Sequence, residues 1–304
     1  MKKKLIIVIL IFVVSVLIME IFLRKYYGFC DTVLIKEDSN YEYIAQPNQN
    51  RFRFRNHVNY NSKSMRSEEV DITSNIILGF GDSVINGGVL SDQDSLATTI
   101  ISDTLSKLQS KKVQFLNISA GSWGPDNCYA YLKRNGDFGA KSIFLFVSSH
   151  DAYDNMNFEK IVDINESFPS KQYSFAIYEL VERYLIPRLK SRLKTESSNN
   201  DNLGINKKKD SSSSFNTGFF SFLSYSKEKN IPFTIYLHID REEFKSGAYN
   251  EQGQEIIRFA NENNVPIILD LENGLELSDF RDGIHLNNIG QKKLANTIIK
   301  YIQQ

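Results

Sequence analysis

From residue 71 onward, short apolar runs alternate with segments of helical period, and this alternation restricts the fold more than any other feature of the chain. Ile76–Phe80 reads as a strand, and Ser95–Leu108 as a helix whose apolar face carries Leu96, Ile100, Ile101, Leu105 and Leu108. Val113–Leu116 is a second strand, a helix begins near Pro125, and Ser142–Val147 is a third strand, apolar enough to be buried on both faces. Tyr178–Leu193 has the period of an amphipathic helix, whereas Lys194–Ser214, rich in Ser, Asn and Lys, reads as a mobile loop. Phe233–Leu237 and Val265–Leu269 follow as strands, with helices over Gln252–Asn263 and Ile289–Ile302. Strands separated by helical crossovers run the same way and pair in parallel. The expectation is an α/β fold: a three-layer α/β/α domain over 71–304 around a mostly parallel five-stranded sheet, with an insertion around 155–230.

Ahead of that domain the chain has a different character. Leu5 to Leu23 is apolar apart from Ser15 and Glu20, with Lys2-Lys3-Lys4 before it and Arg24-Lys25 after it. Nineteen residues rising ~1.5 Å each span roughly 29 Å, close to the ~30 Å hydrocarbon core of a bilayer. No small-residue cleavage signal follows, and Phe29 before Cys30 does not suit a lipoprotein site. Residues 1–25 therefore read as an uncleaved transmembrane signal anchor. The three leading lysines place the N-terminus in the cytoplasm and the main domain outside it, single-pass in a bacterial inner or cytoplasmic membrane. Residues 26–70 read as a juxtamembrane stalk or extension that becomes ordered, with a turn at Pro47-Asn48-Gln49-Asn50 and an extended, hairpin-forming stretch over Arg51–Tyr60.

Several classes of function are excluded at this level. Lys and Arg balance Asp and Glu at 36 each, so no nucleic-acid partner is expected. The Lys207-Lys208-Lys209 run reads as solvated. Gly79-x-Gly81 has Val84 where a dinucleotide fingerprint needs its third glycine, and no phosphate-loop lysine follows. No cofactor is expected. Cys30 and Cys128 are too few for a disulfide framework and leave open a single bond between them. Neither has metal-ligand neighbours, and Asp151 and Asp154 beside His150 read as loop structure, so no metal is expected.

The chemistry-bearing residues sit at the two ends of the α/β pattern. Gly81-Asp82-Ser83 follows the first strand, which puts Ser83 at a strand's C-terminal end, where α/β sheets present their sites. Asp282-Gly283-Ile284-His285 lies near the C-terminus, and three-residue spacing lets the carboxylate orient the imidazole. A serine hydroxyl is a weak nucleophile that needs such a base, and the base needs an acid to hold it. Each motif alone is a common turn or cap. Together they point to a serine hydrolase or acyltransferase. Asn117-Ile118-Ser119-Ala120-Gly121-Ser122 ends the second strand and Ser148-Ser149-His150-Asp151 the third, so Ser83, Gly121 and His150 are candidates to stabilise an oxyanion. His238 ends the fourth strand and reads as a structural, hydrogen-bonded histidine; His57 is given no role. Trp123, Tyr153 and Phe158 fit either the mouth of a site, where they would stack on sugar rings, or the core.

In this order the motifs resemble the SGNH hydrolases, the GDSL esterase/lipase superfamily, over roughly residues 74–304. The resemblance implies an SGNH/flavodoxin-like fold, with Ser83 as nucleophile, Asp282 and His285 as its dyad, and Gly121 as the second-block glycine. The family's third block is Gly-x-Asn-Asp, and here His150 stands where the asparagine belongs. Its imidazole can replace the amide, hold water or contact an acceptor sugar. The anchor, the tract Tyr60-Asn61-Ser62-Lys63-Ser64-Met65-Arg66 and the long middle insertion resemble membrane-anchored members of bacterial surface-polysaccharide pathways. That narrower resemblance implies a serine esterase acting on O-acyl, above all O-acetyl, esters of a carbohydrate. A polysaccharide O-acetyltransferase using the same site, or a glycan-binding protein that kept the fold, are the alternatives.

Overall fold

The computed structural model describes residues 2–193 and 214–304. Helix α1 (Lys2–Tyr27) presents its apolar side chains outward, with Leu23 alone buried, and is long and apolar enough to cross a membrane. Strands β1 (Ile35–Asp38) and β2 (Glu42–Ala45) pair antiparallel, as do β3 (Gln49–Arg53) and β4 (Asn56–Tyr60). Phe54 and Arg55, which join β3 to β4, have φ of 48° and 68°. That left-handed pair is what a tight two-residue hairpin turn requires. The N–H of Phe54 donates to Tyr27 O (2.8 Å), which ties the tip to the foot of α1.

Residues 26–70, expected as a stalk leading into order, lie folded against the body. Tyr43, Ile44, Val58, Met65, Arg53 and Arg66 are all buried. The hairpin expected over Arg51–Tyr60 is present, but the expected turn at 47–50 is shorter, because Gln49 already belongs to β3. Arg53 is fully buried. Its guanidinium meets Glu179 at 2.6 Å with both side chains essentially inaccessible, donates to Gly28 O (2.9 Å) and Tyr184 Oη (2.8 Å), and lies 4.5 Å over the rings of Phe29 and Phe54.

The α/β body follows in the order β5 (Asn75–Gly81), α2 (Ser83–Asn86), α3 (Ala97–Gln109), β6 (Val113–Ser119), α4 (Pro125–Asn135) and β7 (Ser142–Ser148). After it come α5 (Ala176–Leu180), α6 (Ile186–Leu193), α7 (Gly218–Lys229), β8 (Phe233–His238), α8 (Arg241–Ser246), α9 (Glu251–Glu262), β9 (Ile267–Leu269) and α10 (Asn288–Ile302). The sheet order is β6-β5-β7-β8-β9, and every pairing is parallel. Phe144, level with Gly79, packs on Tyr301 of α10, while the next residue, Phe80, packs on Phe222 of α7. Successive residues face opposite sides of a sheet, so α10 and α7 cover opposite faces. This is the expected three-layer α/β/α architecture.

Two glycines of β5 owe their identity to packing. A Cβ on Gly79 would come within 2.4 Å of Phe115 Cε1, and one on Gly81 within 2.8 Å of Phe146 O. The helix expected over Tyr178–Leu193 runs as α5 and α6 joined through a π turn at Val181–Leu185. Pro187 lacks the N–H that a regular α-helix would use there, and a wider turn just before it accommodates that loss. Helix α7 went unread inside the irregular middle. The expected mobile loop, Lys194–Ser214 with its lysine run, lies outside the described residues except for Ser214. Cys30 and Cys128 are both free thiols, the second buried beneath Gly81.

Breaking a buried ion pair from one side strands a charge, at a cost of about 3–5 kcal/mol. Glu179→Ala is expected to lose about that much unfolding free energy, and Arg53→Leu/Glu179→Leu to lose less than Glu179→Ala alone. Denaturant unfolding in detergent micelles checks the ranking.

Candidate active site

Strand β5 delivers Ser83 to the C-terminal edge of the sheet at the point where the strand order reverses, the place where open α/β sheets leave a crevice. Asp82 caps α2, its Oδ1 accepting the N–H of Val84 at 2.8 Å. The far end of α2 is held from outside. Arg66, fully buried, donates to the carbonyls of Asn86, Gly88 and Ser91, the last at 2.6 Å. Burial lowers the Arg66 pKa to about 10, which still leaves it charged at neutral pH. Asn86 continues the network to Ser119 Oγ (3.0 Å) and Tyr60 Oη (3.1 Å). The turn that bears Ser83 is thus clamped by residues of the 26–70 segment.

The second half of the site arrives from the C-terminal turn. His285 Nε2 lies 2.8 Å from Ser83 Oγ, and its Nδ1 lies 2.8 Å and 3.0 Å from the two carboxylate oxygens of Asp282. Asp282 Oδ1 also accepts the N–H groups of Ile284 (3.0 Å) and His285 (2.9 Å). Partial burial works against the Asp282 charge, but the imidazole and the two N–H donors hold its carboxyl well below the usual carboxylate range. Ser83, His285 and Asp282 therefore form one hydrogen-bonded chain, with the carboxylate ionised and the imidazole aimed at the hydroxyl.

A second, buried Asp–His pair supports that turn, and Asp270 as its carboxylate was not identified from sequence. His238, read from sequence as structural, has Nδ1 at 2.5 Å from Asp270 Oδ2 and Nε2 at 2.7 Å from Ile284 O. A carbonyl only accepts, so Nε2 carries a proton. Burial opposes a charge on this ring, yet the Asp270 carboxylate and the Ile284 carbonyl raise its pKa. With Nε2 donating to the Ile284 carbonyl, the ring pins the backbone one residue before His285.

Gly81 and Ser119 are register partners, so Ser83 and Gly121 lie two residues beyond the paired ends of adjacent strands. Tyr43 Oη donates to Gly121 O (2.8 Å), and a Cβ on Gly121 would meet only Phe168 Cζ at 3.8 Å. His150 follows β7 at the same edge with its ring half exposed. Asp82, His150 and Asp151 bring three donor atoms within 4.8 Å of one another, and among the described residues this is where a divalent cation would find ligands. The loop reading of Asp151 also has support: its Oδ2 accepts the N–H of Ser148 at 2.7 Å. Burial, with the charges of Asp82 and Asp154, pushes the Asp151 carboxyl up to about 8. Burial works against charge on His150 too, but half the ring is in solvent and the carboxylates of Asp151, Asp82, Asp154 and Asp240 raise its pKa. Of the aromatic candidates, Trp123 is buried in the core and donates to Tyr43 O (2.9 Å), while Phe158 is exposed.

No family model and no curated protein matches the sequence. Solved structures similar to the chain include a psychrotrophic esterase from Pseudoalteromonas sp., at 11% identity over 75% of this chain and 97% of that one, TM-score 0.42. A member of the lipolytic protein G-D-S-L family from Veillonella parvula matches at 13% identity over 75% and 98%, TM-score 0.41. A carbohydrate acetylesterase from Sinorhizobium meliloti matches at 11% over 75% and 98%, TM-score 0.42.

A histidine whose pKa is raised by folding contributes stability that is complete below its unfolded pKa of about 6.5 and is lost as pH rises through the folded value. The stability margin of the parent chain over His238→Gln is therefore expected to be widest below about pH 6.5 and to shrink on the alkaline side. Unfolding free energies of the two proteins across pH 5–10 (about that range) test the sign.

Proposed function

We propose that this chain is an SGNH-type serine hydrolase, anchored in the membrane by α1 with its α/β domain outside the cytoplasm, that acts on O-acyl esters of a carbohydrate, O-acetyl groups above all. The observation that carries the reading is the hydrogen-bonded chain from Asp282 through His285 to Ser83, with its 2.8 Å contact between imidazole and hydroxyl. A binding protein that had merely kept the fold would have no use for that alignment.

In this mechanism Ser83 Oγ attacks the acyl carbonyl while His285 Nε2 takes the hydroxyl proton, and Asp282 stabilises the imidazolium that forms. The N–H groups of Ser83 and Gly121, with His150, receive the developing oxyanion. His285 then returns its proton to the departing sugar oxygen, leaving an acyl-serine. Water activated by the same imidazole releases the acid; an acceptor sugar hydroxyl in the place of water would make the same site a transferase.

The acyl group is expected to be short. Two cavities among the described residues, of about 630 Å³ beside Phe144, Phe233 and Tyr301 and about 550 Å³ beside Glu37, Lys160 and Ile164, touch none of the site residues. The site is instead open, with Asp282 half exposed. A long acyl chain needs an apolar channel, whereas an acetyl group on a polymer needs access. The narrower resemblance to surface-polysaccharide proteins supports a glycan as the alcohol part.

Ser83→Ala is expected to cut p-nitrophenyl acetate hydrolysis by at least about 10³-fold and to abolish fluorophosphonate labelling. Equal near-background rates in parent and variant, without labelling, would overturn the hydrolase reading. For the oxyanion role, His150→Ala should lose roughly 10²-fold in kcat, while His150→Asn, which restores an amide donor, stays within about tenfold of the parent.

A further inference from the structure

The helix formed by α5 and α6 has two apolar sides, and the described residues cover only one of them. Its inner side, with Ala176, Leu180 and Tyr184, packs on Leu23 and Phe29, and Glu179 pairs with Arg53. Its outer side leaves Phe175 (65%), Tyr178 (55%), Val181, Leu185 (42%), Ile186 and Leu189 (57%) exposed. Steps of three and four residues put these side chains along one stripe of the helix. Elsewhere on the body large apolar residues such as Ile72, Leu108 and Ile289 are exposed at separate places, which is ordinary for a soluble surface. Six in one stripe is not.

The position of the stripe identifies what covers it. The Glu20 carboxylate of α1 accepts the N–H groups of Ala176 (2.8 Å) and Ile177 (3.0 Å), so α1 itself caps the start of this helix. Arg24, one turn later, donates to Ser174 O at 2.5 Å. The stripe therefore begins at the level where the apolar stretch of α1 ends, next to the exposed Leu17, Ile18, Ile21 and Phe22. Arg188 and Lys190 lie beside it in sequence, on the exposed side. Apolar residues flanked by long cationic side chains on one helix face match the boundary between acyl chains and phosphate headgroups.

We infer that helix 176–193 lies in the headgroup–acyl boundary of the bilayer that α1 enters, with Phe175, Tyr178, Val181, Leu185, Ile186 and Leu189 turned to lipid. This rests on the reading of α1 as membrane-spanning. Two contacts then orient the body on the membrane instead of one flexible tether. The hairpin β3–β4, whose tip is bonded to Tyr27, carries Asn56 to Val89 O (3.1 Å) and Asn59 N–H to Gln93 (3.1 Å), beside the turn that bears Ser83. A five-residue strand spans about 17 Å, so the nucleophile is held within roughly 20 Å of the lipid surface. The substrate would be a glycan presented at the membrane.

The test uses the full chain in nanodiscs of phosphatidylcholine with or without brominated acyl chains, which quench a neighbouring indole. The native Trp123 is the chain's single tryptophan and is buried, so it provides a constant background. Leu185→Trp and Leu189→Trp are expected to lose about half of their added emission in the brominated discs, as a ring at the headgroup–acyl boundary should. Val14→Trp within α1 is expected to be quenched as well, and Ile72→Trp to be unaffected. Quenching of Val14→Trp with Leu185→Trp and Leu189→Trp behaving like Ile72→Trp would overturn the inference while leaving the anchor. Absence of quenching at Val14→Trp would overturn the anchor and the inference together.

Discussion

Arg53 and Glu179 meet at 2.6 Å in a place closed to water, and three distant stretches of chain depend on that contact. Glu179 Oε2 also accepts the N–H of Cys30 at 2.6 Å, so the foot of α1, the hairpin β3–β4 and the insertion helix converge on one carboxylate. The two charges were taken out of water together; Arg53 also donates to Gly28 O and Tyr184 Oη, and Glu179 also accepts from Arg183 at 3.2 Å. Such a pair adds little net stability over an apolar one, but losing one member strands the charge of the other. It joins the foot of α1, the hairpin and the insertion helix, and the aromatic rings of Phe29, Phe54 and Tyr184 close over it.

A second buried guanidinium performs the corresponding task at the site. Arg66 has carbonyl oxygens around it and caps the turn after α2. Ser83 is consequently held from two directions: by β5 in the sheet, and by residues of the 26–70 segment that reach across to Asn86 and Ser91. The C-terminal half of the site is held similarly, with His238 and Asp270 fixing Ile284 O so that His285 faces Ser83. Acidic groups dominate the remaining edge. Burial opposes charge on His150 while the neighbouring carboxylates raise its pKa, and a protonated ring would suit the oxyanion role proposed for it.

Much of this was legible in the residues. The five central strands announced themselves because a strand buried on both faces must be apolar at nearly every position, as Ser142–Val147 is. Gly81-Asp82-Ser83 and Asp282-x-x-His285 were legible because a hydroxyl, an imidazole and a carboxylate at such places can form one hydrogen-bonded chain, and the α/β alternation supplied their common edge. Other elements were hidden for identifiable reasons. The burial of Arg53 was not legible in the alternating Arg51–Arg55 stretch, since nothing nearby in sequence reveals that Glu179 neutralises it. Trp123 could have faced a sugar or the core, and only its packing against Tyr41 and Tyr131 decided for the core. Helix α7 hides in the sequence because its start at Asn216-Thr217-Gly218 continues a long polar stretch of the same residue types.

By itself, then, the sequence determined the alternation of strands and helices, the apolar N-terminal helix and the identity of the three residues in the hydrogen-bonded chain. These depend on local period and on the chemistry of single side chains, both of which are written along the chain. The tertiary structure decided the partners: which carboxylate neutralises Arg53, which carbonyls hold Arg66, which buried histidine steadies the turn before His285, and which side of helix 176–193 is left uncovered. Each is a contact between residues far apart in sequence, and burial makes such a contact strong while leaving no local pattern by which to read it.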